Sequence, residues 1–265
     1  MAITYPLSLP TTIGIAEIEL RANNVIGVSQ SPFTFAQQVV VHQGQRWEAS
    51  VSIPPVRKDL AEEWVAFLLK LQSHSGGNMG TFYLGDPNMA TPRGTAATAV
   101  VTLNTATTAG AETVSLTKGA GSQRDGFFLP GDYLQIGDSS TLVTAGSFTT
   151  GKSYRIVSTG DTDFTAIGSS SDSVGTVFTA SGAGSGTGTA REVQSLHKVL
   201  TAVDMNTSGL GTADIWPHIR HPMAAGTSVT YLSAKGLFRL SSPMTSWSIN
   251  NASTYGISFD AVEVI

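Results

Sequence analysis

Residues Gly146-Ser-Phe-Thr-Thr-Gly151-Lys152-Ser153 match, letter for letter, the spacing of a phosphate-binding loop. In such a loop the glycines let backbone amides cradle phosphate, the lysine reaches the outer oxygens and the serine hydroxyl holds magnesium. The chemistry served would be nucleotide binding, and it needs a helix starting at the Lys-Ser pair so that free amides point at the anion. Here Tyr154-Arg-Ile-Val157 runs into Ser-Thr-Gly-Asp and reads as a strand, and no apolar strand ending in an acidic residue follows to hold the metal. Gly146, Gly151, Lys152 and Ser153 are therefore read as a chance match, and no cofactor is expected.

Other residues could do chemistry. His218-Ile-Arg-His221 has the spacing of half a zinc site, which works on a helix or with further ligands nearby. Pro217 and Pro222 flank it, so it reads as a polar loop after a strand Ala213–Trp216, with no metal expected. Asp125 with Asp132, and Asp59 with Glu62, are carboxylate pairs, but glycosidic acids need a fixed separation across a cleft. Turn and cap roles are expected of them instead. Ser185 lies in a glycine-rich run without the strand-to-helix setting of a nucleophile elbow. Of Trp47, Trp64, Trp216 and Trp247, three occupy amphipathic positions facing a core, and Trp216 remains as the candidate surface-binding residue for stacking on a sugar or base. No catalytic residue is assigned, and the chain is expected not to be an enzyme.

The elements that would position these residues are mostly strands. Trp47, Ala49, Val51 and Ile53 alternate with Glu48, Ser50 and Ser52, the pattern of a half-buried strand. Ala16, Ile18 and Leu20 alternate likewise, and Gln38–His42 gives a second short valine-rich run. Leu60, Trp64, Phe67, Leu68 and Leu71 recur at helical spacing, with Asp59 and Glu62 placed as a capping box and a stop expected between Ser73 and Gly77. Thr81–Leu84 follows as a strand. From Thr91 to Lys235 the character changes to short strands between Gly, Thr and Asp, including Val100–Leu103, Thr113–Leu116, Asp132–Ile136, His197–Leu200 and Thr227–Leu232, the texture of a small β-barrel. Within it Thr144–Ala190, poor in charge and ending in low complexity, reads either as a linker or as a tiny module built on Tyr154, Ile156, Val157, Phe164, Ile167, Val177 and Phe178. After Gly236 come Leu237–Leu240, Trp247–Ile249 and an alternation Tyr255, Ile257, Phe259, Ala261. Its apolar phase slips at Ala261-Val262, which reads as a bulge or as burial on both faces.

Composition bounds the rest. The 265 residues contain no cysteine, so packing alone must hold the fold, without disulfides or thiolate metal sites. Charged residues are only 13% of the chain, which hints that other subunits cover part of its surface. A net charge of −4 argues against a nucleic-acid-coating protein. No apolar run spans a membrane, so no membrane insertion is expected, and the first residues lack the pattern of a secretory signal.

Several stretches, in order, resemble the distal tail (tail-tip ring) proteins of long-tailed bacteriophages. They are Tyr5-Pro-Leu-Ser-Leu-Pro10, Ser31–Gln38, Trp47-Glu48 with Pro54-Pro55, Trp64–Leu68, Gly80–Pro87, Pro92-Arg-Gly94, Pro130–Gly137, Asp214-Ile-Trp-Pro217, Lys235–Leu240 and Tyr255–Phe259. Separately, Ala145–Ala190, with Gly151-Lys-Ser-Tyr154, Thr162–Gly168 and Val177-Phe-Thr-Ala180, is similar to a small module inserted in varied phage structural proteins. It departs from the tail-protein pattern, in which Gly137 leads almost directly to Leu196-His-Lys-Val199.

The resemblance implies a mainly β fold: a β-sandwich-like ring domain with one helix, split by an inserted barrel-like domain that carries a further small β insertion. The expected boundaries are 1–92 with 235–265, 93–143 with 191–234, and 144–190. The implied protein is a structural virion component at the tail tip, assembled in the host cytoplasm. It forms a hexameric homo-oligomeric ring that joins the tail tube protein to hub and tip proteins, and it could meet the tape measure protein. DNA would pass the lumen without specific binding, which a net negative ring suits. The alternatives are a hub or tube subunit, or a carbohydrate-binding adhesin that uses Trp216.

Overall fold

The computed structural model describes residues 3–73 and 80–265. The chain is mainly β and divides into two compact units, Met1–Leu84 with Leu237–Ile265, and Gly85–Gly236.

The first unit opens with a long antiparallel hairpin, β1 (Glu17–Gln30) and β2 (Gln37–Arg57), then α1 (Lys58–Leu71) and β3 (Thr81–Leu84). The second carries β4 (Val101–Leu103), β5 (Thr113–Thr117), β6 (Arg124–Phe128), β7 (Tyr133–Ile136), β8 (Leu142–Thr144), β9 (Ser153–Ser158), β10 (Val177–Thr179), β11 (Thr189–Glu192), β12 (Ser195–Val199), β13 (Val203–Met205), β14 (Leu210–Trp216) and β15 (Ser228–Thr230). The chain then returns to the first unit with β16 (Gly236–Leu240), β17 (Trp247–Ile249) and β18 (Thr254–Glu263).

In the first unit the sheet order is β1-β2-β18-β16-β3, with β17 added beside β18. The two ends of the chain thus meet in one sheet, where β18 runs antiparallel to β2 from Thr254 opposite Arg57 to Val262 opposite Glu48. Trp47, Ala49, Val51 and Ile53 are buried as their alternation requires. The layer facing them is α1, where a sandwich would have a second sheet. Its buried stripe is Ala61, Trp64, Val65, Phe67, Leu68 and Leu71. Leu60, expected in that stripe, is exposed in the first turn. Phe82 packs edge-on to Phe67 and Phe259, at 5.6 and 5.9 Å between ring centroids, and closes the core. The capping box does not form: Arg57 occupies the cap position and no side chain caps the helix there. The helix ends at Leu71, with the amides of Gln72 and Ser73 still bonded to Leu69 and Lys70; the expected stop at Gly76-Gly77 lies outside the described residues.

The second unit holds a closed six-stranded barrel in the order β12-β14-β5-β4-β15-β7, with β6 and β13 paired separately. Phe127, Phe128, Leu134, Ile136, Leu116 and Ile215 are among its buried core. Residues 85–92, expected with the first half, fall in this unit. Ser233 N–H donates to Ala90 O at 2.7 Å, and the fully buried Asp132 carboxylate accepts from the amides of Arg93, Gly94 and Leu129. Between β7 and β12, which pair directly, lies a four-stranded sheet in the order β10-β9-β11-β8 with a core of its own around Phe148, Tyr154, Phe164 and Phe178. The folded alternative for 144–190 is the one observed. Its first and last strands are antiparallel neighbours, Val143 opposite Ala190, so the module leaves and rejoins the barrel at one place.

The phase slip expected at Ala261-Val262 does not occur. Burial continues on alternate residues through Tyr255, Ile257, Phe259, Ala261 and Glu263, and the register shift against β2 lies instead between Tyr255 and Ile257.

Candidate functional site

Beyond Arg21 and before Arg46 the β1–β2 hairpin carries no charged side chain. Every residue from Arg21 to Gln30 and from Phe33 to Gly44 is exposed. Val28 stands opposite Val39 and Ile26 opposite Val41, so one face of this arm is a patch of four β-branched side chains; Val41 is 72% exposed. The tip is Ser31–Ala36, closed by Ser31 N–H to Ala36 O and Phe35 N–H to Ser31 O, both 2.9 Å, and it presents Phe33 at 92% and Phe35 at 73% exposure. The register shifts between Asn24 and Ile26, where Val25 alone on β1 faces His42, Gln43 and Gly44 on β2, and the close approach is possible because Gly44 has no side chain: a Cβ there would stand 2.6 Å from Val25 Cγ2. At the root a charged collar marks where the arm leaves the sheet. Asn23 Nδ2 and the Arg46 guanidinium both donate to Glu48, at 2.8 and 2.7 Å, and hold its carboxyl below the usual range.

A two-stranded ribbon is marginal in water alone, and an exposed apolar face of this kind is a candidate interaction surface. The strand edge adds to it. No strand among the described residues pairs with the outer edge of β1, whereas the opposite edge of the sheet is covered: Leu7 N–H donates to Thr81 O and Tyr83 N–H to Leu7 O. An open edge of this length is a template for pairing with another chain. The sheet face away from α1 is polar, with a groove of about 460 Å³ bounded by Glu17, Ser50, Ser242, Ser258 and Asp260. Ser50 Oγ donates to Asp260 within it.

The phosphate-loop spelling lies in the four-stranded module. Gly146 and Phe148 amides donate to Ala183 O, Thr149 N–H to the Tyr154 hydroxyl, Gly151 N–H to Ala180 O and Lys152 N–H to Thr149 O. The amides that would cradle phosphate are therefore engaged within the protein. Lys152 Nζ donates to both oxygens of Glu192, at 3.0 and 2.9 Å, and Ser153 opens strand β9 with its hydroxyl donating to Pro222 O at 2.6 Å. Burial pushes the Glu192 carboxyl up, against the pull of Lys152.

The remaining candidates are dispersed. Trp216 is half-buried on the outside of the barrel, opposite Lys198, whose ammonium lies 4.4 Å from the Tyr133 ring centroid. His218 and His221 are in a loop, and among the described residues no group of three or more His, Asp or Glu gathers as metal ligands would. Asp125 accepts from Gln123, far from the role of Asp132 as an amide clamp. Asp59 and Glu62 are exposed on α1, and Ser185 is in a turn region of the module.

Sequence reasoning missed two features. The arm was read only as a short run at Gln38–His42, although the uncharged stretch between Arg21 and Arg46 was visible. His197 was read only as part of a strand, yet it is fully buried, with Nδ1–H donating to Pro217 O at 2.6 Å and Nε2 accepting from the Ser195 hydroxyl at 2.7 Å. A carbonyl can only accept, and this fixes the tautomer.

Neither a model of a known protein family nor a curated protein matches this chain.

Proposed function

We propose that this chain is a structural protein of a bacteriophage tail tip, in which the unit formed by the two chain ends closes with further copies into a ring of six that joins the tail tube to hub and tip proteins. The observation that carries this reading is the uncharged, exposed arm beside an open strand edge. An apolar ribbon and an unpaired edge on one unit are stabilised when neighbouring copies cover them, and cyclic closure satisfies every copy alike. The order of motifs that resembles distal tail proteins supplies the setting, a virion tail tip assembled in the host cytoplasm. The tape measure protein is a further neighbour in that setting, and DNA would pass without specific contacts.

Native mass spectrometry and negative-stain microscopy of the purified protein test this. The expected species is a closed six-membered ring, reduced to monomers by Val41→Lys or Ile26→Asp on the apolar face of the arm. A monomer at tens of micromolar, or rings indifferent to both substitutions, would overturn the reading. Open-ended polymeric tubes would assign the chain to the tube itself.

A further inference from the structure

The loop Pro217–Pro222, between β14 and β15, is fastened at both ends to different parts of the second unit. Toward the barrel, Pro217 O accepts from the buried His197 ring, and Ile219, with no exposed surface, enters the barrel core while its N–H donates to Ala111 O and its C=O accepts from Gly110 N–H. Toward the module, Pro222 O accepts from Ser153 Oγ at the start of β9, and the Gly151 backbone lies against Ala224. Between these anchors stands His221, whose buried Nε2 has no hydrogen-bond partner among the described residues. The positive charges of Arg155, from β9 of the module, and of Arg220, in the loop, both act on it.

Little apolar surface binds module to barrel. Val177 is the module side chain packed on the barrel core, only partly buried, while the aromatic core of the module is internal to it. Besides the two chain crossings, the attachment therefore rests on polar contacts: Ser153 Oγ to Pro222 O, Val193 N–H to Ser153 O at 2.9 Å, and Arg191 Nη1 to Ser139 O and Ser140 O at 2.9 and 2.6 Å.

We propose that the Pro217–Pro222 loop is an acid-operated latch, which clamps the four-stranded module to the barrel at neutral pH and lets it go when His221 takes up a proton beside Arg155, both parts keeping their own cores. Burial, followed by the charges of Arg155 and Arg220, already holds His221 below its ordinary range. Burial and then the charge of Arg220, opposed by Glu112, shift His218 the same way. Burial, against the bond to Pro217 O and with the charges of Arg220 and His218, holds His197 down to about 3, so the barrel anchor persists into acid. The sign follows from linkage. The clamped form binds fewer protons than the released form, so the clamp is at full strength above the ordinary histidine range and weakens as pH falls.

Hydrogen exchange of the full chain from pH 8 to pH 4, corrected for the intrinsic pH dependence of exchange, tests the latch. The bridging amide of Val193 is expected to lose at least tenfold protection at a higher pH than the core amides of Ile156 and Leu134. His221→Gln, and independently Arg155→Gln, should move that loss to lower pH by a unit or more, with protection at pH 8 unchanged within twofold. Loss of protection at Val193 only together with both cores, or a transition that neither substitution moves, would overturn the proposal.

Discussion

The backbone N–H of Trp47 donates to a carboxylate oxygen of Glu263 at 2.9 Å, tying β2 to the end of β18 across 216 positions of sequence. Glu263 is only 3% exposed and takes the inward position at which the alternation of β18 would otherwise place an apolar residue. Its carboxylate is kept there because it supplies an acceptor to an amide that water cannot reach. Glu263→Leu, which improves the apolar pattern, is expected to destabilise the first unit by roughly 1–3 kcal/mol, the cost of a buried donor left without a partner. Glu263→Gln retains an acceptor and should lose less. Urea unfolding of the two variants, side by side, gives the order.

The pair Lys152–Glu192 makes a separate prediction about the phosphate-loop spelling. Both side chains are largely buried, with 22% and 12% exposure, so removing one leaves the other charge stranded. Lys152→Met is expected to cost the module about 1–3 kcal/mol, less than the loss of a fully buried pair, and Glu192→Gln in the same chain should restore part of it. ATP with magnesium should stabilise neither the wild-type chain nor the double variant in thermal melts. A ligand-dependent rise in melting temperature, abolished by Lys152→Met, would assign nucleotide binding to this loop after all.

How much of this was legible in the sequence depended on whether a pattern reported burial. Trp47 to Ile53, and the helix stripe through Trp64, Leu68 and Leu71, could be read because inward positions there are apolar and outward ones polar. In the arm the relation inverts: Ile26, Val28, Val39 and Val41 are apolar and exposed, because the arm leaves the sheet beyond the reach of the core of its own unit. Glu263 broke the rule in the other direction, and its acceptor role depends on Trp47, which no local pattern relates to it. Short strands such as β6, β8, β11 and β13 exist because partners hold them, and their three to five residues carry too little periodicity to be seen. The phosphate-loop spelling misleads for a similar reason. The groups that engage its amides and its lysine, Ala180, Ala183 and Glu192, lie up to forty residues on.

His197 makes the barrel sensitive to acid. Burial holds its ring down to about 3 in the folded chain, against an ordinary value near 6.5. The folded state therefore refuses a proton that the unfolded chain accepts, and stability present above pH 6.5 is lost as pH falls toward 3. The slope below that ordinary value is about 1.4 kcal/mol per pH unit, so this group alone should make the second unit about 2 kcal/mol less stable at pH 5 than at pH 7. Urea unfolding at both pH values measures the difference, and His197→Gln should flatten the dependence even though it lowers stability at pH 7.

Gly44 separates the arm from the fold that carries it. A Cβ at this position would meet Val25 Cγ2 at 2.6 Å and Val25 Cβ at 3.1 Å, so Gly44→Ala must push Val25 and the bulge opposite it apart and alter the twist of the ribbon beyond. The core of the first unit begins at Trp47 and does not feel this displacement directly. The midpoint of urea unfolding for Gly44→Ala, measured on protein diluted to the monomer, should therefore stay within about 0.5 kcal/mol of wild type, as for surface changes in general. In the proposed ring, assembly depends on the face presented by Ile26, Val28, Val39 and Val41 and should weaken by at least tenfold in sedimentation equilibrium. If stability and assembly fall together, the arm is coupled to the core; if neither changes, the face it presents is not the surface that neighbouring copies cover.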